Sequence, residues 1–121
     1  MASERRTPTR VRVKWPVVII TTKGVVLAET RDISSDGAFI QCEMPLSPKE
    51  KLRLFIMAPN QRPLDFPAEV AWCNPHGAEA DTNKQGMGVR FTEVSSHHRQ
   101  ILRGIIEQLY KTKLNPTPES R

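Results

Sequence analysis

The chain has 121 residues, with 18 basic and 13 acidic side chains and a net charge of +5. That length holds one domain with one small core, which excludes a multidomain enzyme carrying its own cofactor domain. The longest strongly apolar run, Val17-Val18-Ile19-Ile20, is far short of the roughly 20 residues a spanning helix needs, and no membrane partner is expected.

Residues 1–10 are polar and basic and contain Pro8, so they read as a flexible arm. No apolar stretch follows that could make a signal peptide, and the cytoplasm is the expected address. Arg5, Arg6, Arg10, Arg12 and Lys14 face one acidic neighbour, Glu4, and give this end an affinity for anions. Val11, Val13 and Trp15 alternate with Arg12 and Lys14, as in a strand. Pro16 breaks the pattern and marks a bulge or an edge. Val17–Thr21 resumes it, Thr22-Lys23-Gly24 turns, and Val25–Thr30 returns as the second strand of a hairpin.

Asp32 to Gly37 reads as a polar loop. Ala38, Ile40 and Cys42 then alternate with Phe39, Gln41 and Glu43, and Leu52, Leu54 and Ile56 alternate with Lys51, Arg53 and Phe55. Residues 63–73 form the fifth strand, with Phe66, Ala68, Val70 and Trp72 assigned to one core face. Residues 74–85 are a polar loop of about a dozen residues, long enough to be functional or mobile. Gly86–Thr92 is the sixth strand. The two cysteines, Cys42 and Cys73, both lie in apolar strand-like runs and read as reduced core thiols; two are too few for a disulfide scaffold or a zinc site.

The last element differs. Ile101, Leu102, Ile105, Ile106 and Leu109 recur at helical spacing, Ser95 or Ser96 can cap the N-terminus, and the last turn is basic. This predicts an amphipathic helix over 95–112 that packs on the core or serves a homodimer, followed by a disordered tail over 113–121. Six short strands over 11–93 and one C-terminal helix predict an all-β fold, a six-stranded antiparallel β-barrel with one helix.

No residues assemble into a catalytic group. The histidines, His76, His97 and His98, have no metal-ligand spacing, Ser34 and Ser35 lack a nucleophile elbow, and Gly86-Met87-Gly88 has no helix behind it. No enzyme, cofactor or metal is therefore expected. Two weaker patterns remain. In Arg6-Thr7-Pro8-Thr9-Arg10 an extended backbone puts two guanidinium groups on one side, about 13 Å apart. Such forks suit phosphates and guanine edges. In Asp32-Ile33-Ser34-Ser35-Asp36-Gly37, Asp32 can accept from guanine N1–H and N2–H, Ser34 can donate to a ligand, and Gly37 permits a tight turn or a close approach. A simple hairpin loop explains the same residues.

The order of these motifs is more specific than either alone. Arg6-x-x-x-Arg10 precedes the first strand, Asp32-x-Ser34-x-x-Gly37 joins the second to the third, and Gly86-x-Gly88-x-x-Phe91 lies in the last. Over residues 5–93 the chain resembles the PilZ domain family, bacterial barrels that bind cyclic di-GMP. The resemblance implies that Arg6 and Arg10 hold phosphates and guanine Hoogsteen edges, that Asp32 and Ser34 hold a guanine, and that Gly37 keeps the loop shape. Arg5, just before the motif, implies a third guanidinium and a stacked pair of cyclic di-GMP molecules per chain. The arm is expected to order over the barrel on binding and so create a surface for a partner protein, with the chain as monomer or homodimer. Two other readings compete: a protein-interaction module that needs no nucleotide, and a single-strand nucleic-acid barrel. The second is disfavoured because single-strand binders present rows of aromatics, whereas this chain has seven, four of them on assigned core faces.

Overall fold

In this computed structural model, residues 9–43, 46–74 and 85–114 are described. The strands are β1 (Val11–Arg12), β2 (Pro16–Thr21), β3 (Gly24–Ile33), β4 (Gly37–Gln41), β5 (Lys51–Ile56), β6 (Leu64–Asn74) and β7 (Gly86–Phe91), and the helix α1 is Ser96–Leu114. Every pairing is antiparallel. β1 and β2 both pair with β3 and are two pieces of one interrupted strand. Counted so, six strands close into a barrel through β2–β5, β5–β6, β6–β7, β7–β4 and β4–β3. Closure pairs most main-chain groups that an open sheet would leave at its edges.

The interruption expected at Pro16 falls just before it, over Val13–Trp15. A side chain completes the ladder there. The Trp15 N–H donates to Thr30 Oγ1 at 2.9 Å, and the same hydroxyl donates to the Val13 carbonyl at 2.7 Å. Thr30 is fully buried, so these bonds satisfy groups that water cannot reach.

Alternation sets the core. Val17 and Ile19, Leu52, Leu54 and Ile56, Phe66, Ala68 and Val70, and Met87, Val89 and Phe91 are buried along their strands. Phe66 and Phe91 stack with centroids 4.5 Å apart. The helix belongs to this core: Leu102 and Ile106 are buried, and His98 meets Phe66 edge-on at 5.7 Å. Ser95 is its cap, accepting the His98 N–H at 3.1 Å. Burying one such aliphatic side chain is worth about 1.5–3 kcal/mol, enough to hold α1 on the barrel. The helix runs two residues past its expected end, and the arm 1–8 and the segment 75–84 lie outside the described residues. Among the described residues, no helix is long and apolar enough to cross a membrane.

Two register shifts change expectations. β3 continues to Ile33, so Asp32 sits in a strand and not in a loop. It pairs with Phe39 while Thr30 pairs with Ile40, which leaves Arg31 as an extra residue. A strand alternates sides at every residue, so one inserted residue reverses all that follow. Thr30 therefore points inward and Asp32 outward. In β6, Val70 pairs with Val89 and Trp72 with Gly88, so Ala71 is extra. Trp72, assigned above to the core face, is instead 49% exposed. Cys73 is correspondingly only partly buried, whereas Cys42 is a core thiol whose pKa is pushed up by burial.

Candidate functional site

The two bulges aim at the same place. Asp32 of β3 pairs with Phe39 of β4, Phe39 with Gly88 of β7, and Gly88 with Trp72 of β6. These four positions make one row across the outside of four strands. Gly88 has no side chain, so the rings on either side meet above it: Phe39 and Trp72 stack with centroids 5.2 Å apart and planes 26° from parallel. A Cβ on Gly88 would lie 2.3 Å from Trp72 Nε1. This glycine is a berth for the indole.

Arg10 closes the row beyond Asp32. Its Nη1 donates to Asp32 Oδ1 in an ion pair. At the next level Arg90 of β7 donates from Nη2 to Glu69 Oε1 at 2.7 Å. Arg10, Asp32, Asp36, Phe39, Trp72 and Arg90 line an open cavity of about 430 Å³. Its floor is aromatic, and its walls carry both a carboxylate and guanidinium groups. Such a site can take a planar ring on the floor, accept N–H donors at Asp32 and donate to anionic oxygens from Arg10.

The loop after Asp32 is shaped from within. Ser34 Oγ accepts the N–H groups of Asp36 at 3.1 Å and Gly37 at 3.3 Å, and the Ser34 N–H donates to the Gly37 carbonyl at 2.8 Å. Ser34 is buried, and its hydroxyl, expected to face a ligand, turns into the loop. The Phe91 N–H donates to the Asp36 carbonyl at 2.9 Å and ties the loop to β7. Gly37 is required by close packing: a Cβ there would lie 2.1 Å from the Val89 carbonyl oxygen. Gly86 is held likewise, 2.1 Å from the Ile40 carbonyl oxygen by the same construction.

Of the six expected site residues, the structure brings Arg10 and Asp32 together, with Gly37 on the rim of the cavity. Ser34 is buried and does not line it, and Arg5 and Arg6 lie outside the described residues. Phe39, Trp72 and Arg90 were not expected there. The outward position of Phe39 was legible from alternation; that of Trp72 was not, because a bulge leaves no mark in a hydropathy pattern. Among the described residues, no group of three or more His, Cys, Asp or Glu side chains converges as metal ligands do.

The sequence matches the profile of the PilZ domain over residues 4–108. The chain belongs to the PilZ domain family. Its fold recurs in YcgR of Escherichia coli, solved in complex with c-di-GMP, at TM-score 0.78 and 15% identity over 97% of this chain and 51% of that one. It recurs in MrkH of K. pneumonia in its apo state, at TM-score 0.78 and 16% identity over 96% and 56%. The inhibitor of motility MotI/DgrA of Bacillus subtilis matches at TM-score 0.70 and 22% identity over 94% and 53%. At these identities the likeness is one of fold, and this PilZ chain spans about half the length of each of the three proteins. None of the curated proteins matches it in sequence.

Proposed function

We propose that this PilZ domain is a receptor for cyclic di-GMP that acts by binding and not by catalysis. The observation that carries the proposal is the row Asp32–Phe39–Gly88–Trp72 with Arg10 beside it. Guanine needs a flat apolar surface for its face and an acceptor for its N1–H and N2–H donors. The stacked rings supply the first and Asp32 the second. A base stacked on an aromatic side chain is worth about 1–3 kcal/mol. Arg10, with Arg6 and Arg5 of the arm, supplies donors for phosphate oxygens and guanine O6 and N7. Ser34 and Gly37 serve by holding the loop that follows Asp32. The c-di-GMP bound by YcgR of the same fold supports the choice of ligand.

Binding exchanges partners. Asp32 is paired with Arg10, and a guanine and a phosphate each take one member of that pair. Charge neutralisation then lets the basic arm settle over the cavity, and the altered surface is what a partner protein reads. Arg5 brings a third guanidinium, matching two stacked nucleotides per chain. A single aromatic pair in a cavity suits one or two bases, unlike the row of platforms that tracks a single strand.

Isothermal titration with cyclic di-GMP, beside Arg6→Ala and Asp32→Ala and with GTP as control, tests the reading. Saturable binding by the unsubstituted chain alone, at two nucleotides per chain, is expected. A ratio of one removes the role given to Arg5, and no heat with folded protein removes the receptor.

A further inference from the structure

A second row of paired residues crosses the outside of the sheet one level along from Asp32–Phe39–Gly88–Trp72. It is Gly37–Arg90–Glu69. Residues two apart on a strand share a face, so Gly37 lies beside Phe39 and Arg90 beside Gly88. Gly37 has no side chain to cover its neighbour. Arg90 therefore lines the cavity from β7, while Arg10 and Asp32 line it from the β3 side. β4 lies between β3 and β7, which puts those two strands about 10 Å apart at ordinary strand spacing. Arg90 is anchored as Arg10 is, by a carboxylate: its Nη2 donates to Glu69 Oε1 at 2.7 Å. Its other N–H groups make no hydrogen bond among the described residues, and the side chain is 60% exposed. After one such bond a guanidinium keeps a neighbouring pair of N–H groups, enough to grip two phosphate oxygens.

We propose that Arg90 holds the second phosphodiester of cyclic di-GMP, across the cavity from the one held by Arg10. This role rests on the receptor reading above and adds to it a residue that neither binding motif contains. The charges on the lining carry the argument. Arg10 and Arg90 are balanced there by Asp32 and Asp36. Cyclic di-GMP carries two phosphodiesters on one ring, each with a negative charge, and Arg10 stands at one side of the cavity only. Without Arg90, a phosphodiester on the β7 side meets the carboxylate of Asp36 and an unpaired Glu69, and like charges repel it. With Arg90 in place, the same phosphodiester meets a guanidinium already turned to the site by Glu69. Glu69 is thus a positioning residue, as Asp32 is for Arg10 before the nucleotide arrives.

Titration of the full chain with cyclic di-GMP at several salt concentrations tests this, with Arg90→Gln and Arg90→Lys beside the unsubstituted chain and a melting curve for each. Arg90→Gln removes the charge and should weaken binding by about tenfold or more. It should also flatten the dependence of affinity on salt, because one screened contact to a phosphate is gone. Arg90→Lys keeps a point charge without the fork, so it should keep the salt dependence and lose less affinity. The melting temperature should hardly move in either variant, since an ion pair this exposed adds little to folding. If Arg90→Gln misfolds, Arg90→Met, which keeps an aliphatic stem, takes its place. Unchanged affinity in the uncharged variant overturns the role of Arg90 and leaves the receptor standing. Weaker binding with an unchanged salt dependence also overturns it, because the residue then acts by shape and not by charge. No binding by the unsubstituted chain removes the receptor and this role together.

Discussion

Thr30 shows how much one hydroxyl can hold. It bonds Trp15 and Val13 across a break in the N-terminal strand, in a place without water. Thr30→Val keeps the shape but strands a buried donor and a buried acceptor, at about 1–3 kcal/mol for each group left unpaired. Chemical denaturation should show a loss of a few kcal/mol with an unchanged slope. The glycines separate two kinds of need. At Gly37 a methyl group meets backbone, the Val89 carbonyl oxygen, and at Gly88 it meets the Trp72 side chain. Gly37→Ala should lower the melting temperature markedly. Gly88→Ala should leave the barrel folded, because an exposed indole can swing away, and should weaken nucleotide binding. A melting scan and a titration on each variant distinguish these outcomes.

At the scale of the element, bulges do what composition cannot. β6 buries Phe66, Ala68 and Val70, and the extra residue Ala71 then reverses the strand and sends Trp72 outward. The chain has two tryptophans, Trp15 buried and Trp72 exposed, which makes the reversal visible in solution. Acrylamide should quench Trp72 and spare Trp15, and cyclic di-GMP should shield Trp72 from it. Trp72→Ala should retain the fold and lose about tenfold or more in affinity, as befits one stacked base. The helix obeys the opposite logic, since its worth lies in what it buries. Leu102→Ala removes a fully buried side chain and should cost about 2–5 kcal/mol, read by denaturation.

For the whole molecule, the residues that carry stability differ from those proposed to recognise the nucleotide. The Arg10–Asp32 pair lies at the surface, with side chains 51% and 27% exposed. Pairs of that kind contribute about 0–1 kcal/mol to folding. Arg10→Ala should therefore leave the melting curve nearly unchanged and cost most of the affinity for cyclic di-GMP; a large loss of stability would show that the pair is structural. The barrel provides a rigid wall, and in the proposed mode of binding the Arg10–Asp32 pair is the contact that the nucleotide rearranges.

The amino-acid sequence alone determined the strands, the hairpin, the amphipathic helix and the family, because each is written in local terms: alternation, turn residues, helical spacing and motif order. It also placed Arg10 and Asp32 in one site. What it could not carry were features that depend on pairing between distant segments. Phe39, Gly88 and Trp72 meet only when β4, β7 and β6 lie side by side, and Trp72 faces outward only because β6 has one residue more than its partner over that span. The inward turn of the Ser34 hydroxyl likewise depends on the loop it closes. Period-two alternation predicts a side only while the register holds, and a bulge shifts register at no cost to hydropathy. The tertiary structure therefore decided which aromatic residues line the site.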